Sequence, residues 1–183
     1  MKRLVLFLGI PLLALALLAP SVDATQVVYR SPRQLGQDAT LVVDGRVTSV
    51  RSYWNQTQSK ILTEAVVAVE GTYKGAPQST VRIVQLGGIV GNVKMTVHGA
   101  VSWHDGEEVL LFLEPSLPGA YQVAGFSQGK YRIERDPRSG KRFVQHVVPD
   151  GAEFLGAPAA PGAASTSTQL SLDKFIDSVF GRR

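Results

Sequence analysis

His98, His104 and Glu107 lie close together in the chain and offer two imidazole nitrogens and a carboxylate, the donor types that hold zinc or a similar ion. Against that chemistry, Asp105-Gly106 is a turn dipeptide that leads into an apolar run, so the charges around it are expected to be solvated. On a strand Glu107 and Glu108 point to opposite faces, and at most one joins a site. Serines 102 and 127 have His98, His104 and His146 as possible bases, but no Gly-x-Ser-x-Gly elbow is present. No catalytic residue is nominated, and no cofactor is expected. The glycines of Gly87-Gly88-Ile89-Val90-Gly91-Asn92 lack the lysine–hydroxyl pair and the following helix of a phosphate loop. They predict a loop that shapes a groove, because glycine lets backbone pass where side chains cannot. Tyr53-Trp54 is an aromatic pair in a polar hairpin tip, a costly exposure that suits an anchor for a partner. The candidate binding set is therefore Tyr53, Trp54, Gly87, Gly88, Gly91 and Trp103, with His98, His104 and Glu107 as the candidate metal set.

The elements that must position these residues read mainly as strands. Leu41 to Arg51 and Ile61 to Tyr73 are rich in β-branched residues and pair as a hairpin across Tyr53 to Ser59. Thr80 to Leu86 follows the Lys74-Gly75-Ala76-Pro77 turn, and Val109 to Leu113 is a continuous apolar run of buried-strand length. Tyr121 to Phe126, Lys130 to Glu134 and Arg142 to Val148 are short strand-like pieces separated by turns. The fold class is all-β, a small OB-like closed or partly open barrel of six to eight short strands within residues 25–150. Residues 151–168 are mostly Ala, Gly, Pro, Ser and Thr and predict a linker. Within residues 169–183, Leu172, Phe175, Ile176, Val179 and Phe180 fall on one helical face, with Ser171 as N-cap and Gly181 as terminator. So short a helix needs something to dock on, most simply its own barrel.

Residues 1–24 have a basic start at Lys2 and Arg3, an apolar run from Leu4 to Leu18, and a polar end at Val22-Asp23-Ala24. This is the plan of a secretory signal cut before Thr25. The apolar run is interrupted by Gly9 and Pro11 and falls short of the ~20 residues of a spanning helix. The expected mature chain has no membrane span and is periplasmic or secreted. There are no cysteines, so neither disulfides nor thiolate sites are available, which suits a bacterial exported domain. The net charge of +4 is a mild bias, and the basic residues from Lys130 to Arg142 are interleaved with Glu134 and Asp136, so no nucleic-acid partner is expected.

Leu41-Val42-Val43-Asp44-Gly45-Arg46-Val47, Val67 to Gly75, Gly87 to Gly91 and Gly106 to Leu113 together resemble a family of uncharacterised exported bacterial proteins. Their barrels are similar to the OB-like (netrin-like) fold of tissue inhibitors of metalloproteinases. The resemblance implies that fold over roughly residues 35–148. The inhibitors act through an N-terminal cysteine, which is absent here, so that mechanism is not implied. The expected function is a non-catalytic exported binding module for a protein or glycan. The alternatives are an extracytoplasmic metal-dependent hydrolase and an envelope adaptor that docks through its C-terminal helix.

Overall fold

The computed structural model describes residues 25–149, 152–157 and 170–181. Residues 1–24, where a leader is expected, residues 150–151 and 158–169, which include most of the expected linker, and residues 182–183 lie outside the described set. In chain order the elements are β1 (Thr25–Val28), α1 (Pro32–Asp38), β2 (Leu41–Trp54), β3 (Ile61–Lys74), β4 (Thr80–Leu86), β5 (Gly88–Val90), β6 (Val93–Met95), β7 (Glu108–Pro115), β8 (Tyr121–Val123), β9 (Lys130–Arg135), β10 (Arg142–His146), β11 (Ala152–Leu155), β12 (Leu170–Ser171) and α2 (Leu172–Phe180).

The hairpin of β2 and β3 is the longest feature, two strands of 14 residues each. Asn55 closes it, its side-chain oxygen accepting from the Ser59 and Lys60 amides at 2.9 and 3.0 Å. Register shifts at Val42/Val43, Asp44/Gly45 and Val47/Ser49 coil the pair enough to wrap a barrel. At Gly45 a Cβ would meet the Ala68 carbonyl oxygen at 2.1 Å, so only glycine lets the strands approach there.

The barrel closes in the order β7-β2-β3-β4-β8 and back to β7. All neighbours are antiparallel except β4 and β8, which are parallel. This is the five-stranded OB arrangement, with fewer and longer strands in the closed ring than the short-strand pattern predicts. Strand β7 shares its second edge between β8 and β9, and β9, β10 and β12 extend the sheet to eight strands. Both faces of β7 are consequently buried, the physical reason for the uninterrupted Val109–Leu113 run. Val109, Leu111 and Leu113 fill the barrel with Val43, Val67 and Ile83, while Leu110 and Phe112 face Leu35 of α1 and the apolar side of α2.

Helix α1 starts with a capping box: the Gln34 amide donates to Ser31 Oγ and the Ser31 amide to Gln34 Oε1. Helix α2 buries Leu172, Phe175, Ile176 and Val179 on the barrel, and each such side chain contributes about 1.5–3 kcal/mol. Ser171 stands at its N-cap without a side-chain capping bond, and Gly181 ends it in the left-handed conformation at φ 69°. One part of the expected linker is structured: Ala152–Leu155 pairs in parallel with Thr25–Val28. A free β1 edge captures a segment whose composition alone predicts no strand.

Candidate functional site

The turn at Gly106, φ 80°, sends Glu107 inward and Glu108 outward. Glu107, with a side chain 8% exposed, accepts from Lys130 Nζ at 2.8 Å and Arg132 Nε at 3.3 Å, and His104 Nδ1 stands 3.9 Å away. Glu108 meets Arg46 and Arg135. The Glu107 carboxylate is thus occupied by two cations, and His98 is exposed on the segment after β6. Among the described residues no three His, Asp or Glu side chains are placed to hold a metal ion, so the expected His98, His104 and Glu107 set is not gathered into a site here. Two cations from β9 neutralise this carboxylate, a partnership invisible in the local spacing.

Trp103 closes one end of the barrel and is itself latched. Its indole N–H donates to Gln85 Oε1 at 3.1 Å, and Gln85 Nε2 donates to the Val101 carbonyl at 2.7 Å. The Lys130 ammonium lies 4.5 Å from the Trp103 ring centroid and donates to the Ser102 carbonyl at 2.5 Å. Burial pushes the Lys130 amine below its ordinary value, and the Glu107 carboxylate opposes that shift. These bonds pin the Val97–Gly106 segment across the barrel mouth.

A shallow groove of about 550 Å³ lies on one side of that segment, lined by Gly87, Gly88, Trp103, Ser52, Thr63 and Lys94 among others. Thr63 Oγ1 donates to the Gly87 carbonyl at 2.6 Å, and a Cβ at Gly88 would come within 2.4 Å of Ser52 Oγ and Thr63 Oγ1. Three of the expected binding residues therefore share one surface. The other three are not part of its lining: Gly91 turns β5 into β6 with open space around it, and Tyr53 and Trp54 follow Ser52 toward the tip of the β2–β3 hairpin. Tyr53 there packs under the Arg51 guanidinium, 5.5 Å from its ring. The aromatic pair is half-buried by its own hairpin rather than offered at the groove.

On the other side of the Val97–Val101 segment is a larger, more apolar groove of about 710 Å³. One wall is Val84, Gln85 and Leu86 of β4; the other is Gln122 and Val123 of β8 with Gly125 and Phe126, and Val27 and Val28 of β1 approach from the side. Of the nine large apolar residues exposed among those described, four line this groove: Val28, Leu86, Leu117 and Phe126. Phe126 is 39% exposed and sits at φ 70°, a left-handed conformation disfavoured for a bulky side chain. The buried Gln128 amide holds that turn, donating to the Gly125 carbonyl at 3.2 Å and the Val28 carbonyl at 3.0 Å and accepting from the Arg30 amide at 2.7 Å. In the sequence the only hint of this site is an aromatic residue between Gly125 and Gln128-Gly129.

The charged surface is paired rather than concentrated. Arg132 and Arg135 bind Glu107 and Glu108, Arg142 binds Asp44 at 2.5 Å, and Arg51 and Arg82 share Glu64. The Arg82 guanidinium beside Glu64 holds its carboxyl below the usual carboxylate range. Compared with known proteins, the chain matches no family model and no curated sequence.

Proposed function

We propose that the chain is an exported, non-catalytic binding module that engages a protein partner through the apolar groove between β4 and β8. The observation that carries this reading is Phe126, an aromatic side chain held in a strained conformation at the rim of a groove with three further exposed apolar residues. Strain of this kind persists where surrounding bonds impose it, and the Gln128 clamp does so here. The leader-like residues 1–24 and the resemblance to exported bacterial proteins with barrels of the metalloproteinase-inhibitor type support a periplasmic or secreted location. The paired basic residues argue against a nucleic-acid partner, since no dense positive field is left over. The pairing of Glu107 with Lys130 and Arg132 argues against the metal-dependent hydrolase, and the burial of the apolar face of α2 argues against an adaptor that docks through that face.

Photo-crosslinking in the producing cell tests this. With a benzophenone amino acid in place of Phe126, a discrete protein adduct is expected in the exported fraction, on a chain whose N-terminus reads Thr25. The same probe at exposed Thr57 should give none. No adduct at Phe126, together with binding of the purified chain to an oligosaccharide array, would replace the protein partner by a glycan.

A further inference from the structure

The parallel β4–β8 pair that closes the barrel is joined at a single register position, Ile83 opposite Tyr121. Beyond it the two strands diverge, and their next residues become the facing walls of the larger groove. The direction of the backbone groups follows from their neighbours, because successive residues of a strand point their N–H and C=O to opposite sides. The Gly87 amide donates to the Ile61 carbonyl of β3 at 2.9 Å, so Gln85 also faces β3, while Val84 and Leu86 face the gap. The Ala124 amide donates to the Phe112 carbonyl of β7 at 2.8 Å, so Gln122 also faces β7, while Val123 faces the gap. The ladder does not continue to Gln85 opposite Val123. The groove thus has an apolar lining between two strand edges, on which hydrogen-bonding capacity at Leu86 and Val123 is turned toward the opening.

The charges at the rim narrow the occupant further. Arg30 and Glu114 both line the groove and neutralise each other at 3.2 Å, and Asp38 adds a second carboxylate 3.6 Å from Arg30. With one cation against two carboxylates, the rim offers an anionic ligand no unmatched partner.

We infer that the groove takes an extended segment of a partner protein free of acidic side chains, with apolar side chains at alternate positions, added as a strand to the β4 and β8 edges. This rests on the binding-module reading above and specifies what that module binds. Main-chain bonds to Leu86 and Val123 would supply register, and apolar side chains would pack on Val28, Leu117 and Phe126. The barrel itself offers the parallel direction, since both edges already run the same way.

The test is nuclear magnetic resonance of the chain expressed from its full coding sequence, titrated with three probes: acetyl-Ser-Val-Ser-Leu-Ser-amide, the same peptide with alternate amides N-methylated, and isobutanol. The expected result is perturbation of the Val84, Leu86 and Val123 amides by the first peptide, with affinity about tenfold lower for the N-methylated one, which cannot complete the ladder. Leu86→Pro deletes only the N–H that faces the gap and should weaken the unmethylated peptide about tenfold, whereas Leu86→Ala keeps that donor and should cost less. Equal binding of both peptides, or perturbation of the lining methyls by isobutanol alone, would overturn strand addition and leave the apolar groove standing. No perturbation by any probe would overturn both readings. Concentration-dependent shifts of the same amides without a probe would assign the edge to a second copy of the chain and also overturn the proposal.

Discussion

The ammonium of Lys130 lies 4.5 Å from the centroid of the Trp103 ring while donating to Glu107 at 2.8 Å, so one side chain of β9 fixes the Ser102–Glu107 end of the segment between the two grooves. Lys130 and Glu107 have side chains only 9% and 8% exposed. Removing one member of such a pair strands the other charge in a poorly solvated place. Lys130→Met is expected to destabilise the fold by about 2–3 kcal/mol, toward the low end of such cases because Arg132 still reaches Glu107. Urea unfolding followed by Trp103 fluorescence measures this, and an unchanged midpoint would refute the latch.

Phe126 separates stability from binding. Its φ of 70° is strained for phenylalanine and easy for glycine. Phe126→Gly is expected to be neutral to about 1 kcal/mol more stable, because relief of strain offsets the added chain entropy. The same change should weaken binding of the partner captured by the probe at that position. A large loss of stability in thermal melts would mean that the ring is a packing element instead.

The glycines at the two ends of β5 should differ sharply in tolerance. A Cβ at Gly88 would meet two hydroxyl oxygens at 2.4 Å and require φ 135°, whereas at Gly91 it would meet open space at φ 58°. Gly88→Ala is expected to cost about 2–3 kcal/mol and Gly91→Ala about 1 kcal/mol. Comparison of the two variants by chemical denaturation checks the order.

His146 makes the fold sensitive to mild acid. Its ring stacks near Tyr131 at 5.0 Å and Phe154 at 6.4 Å, its Nε2 is buried without a partner, and burial pushes its imidazole below the ordinary value, with the Gln128 backbone drawing it partly back. The neutral ring is therefore favoured in the folded state. Its contribution is fully present above the unfolded pKa of about 6.5 and is lost as pH falls through the lower folded value. The wild-type melting temperature should drop between neutral pH and about pH 5, and His146→Phe should flatten that part of the profile. Parallel profiles for the two proteins would show that another group titrates.

The legibility of this chain divides along physical lines. The β2–β3 hairpin, the buried β7 and the apolar face of α2 are all readable in the sequence, because alternation, turn chemistry and helical spacing act over a few neighbouring residues. Gly87, Gly88 and Trp103, three of the six expected binding residues, share one groove, although Trp103 reaches it from a different segment. Tyr53, Trp54 and Gly91 show the limit of that reasoning, because residue type says nothing about which neighbours fold over a side chain.

Residue order by itself determined a cysteine-free, strand-dominated chain with one terminal amphipathic helix and no spacing that forces a catalytic centre. Only the tertiary structure decided that Glu107 is neutralised by β9, that β1 captures Ala152–Leu155, and that β4 and β8 part after one pairing to open the apolar groove. Those outcomes depend on meetings between segments as distant as Val28 and Gln128. Such meetings follow from how the closed barrel distributes its strand edges, a property of the whole sheet that no local pattern encodes.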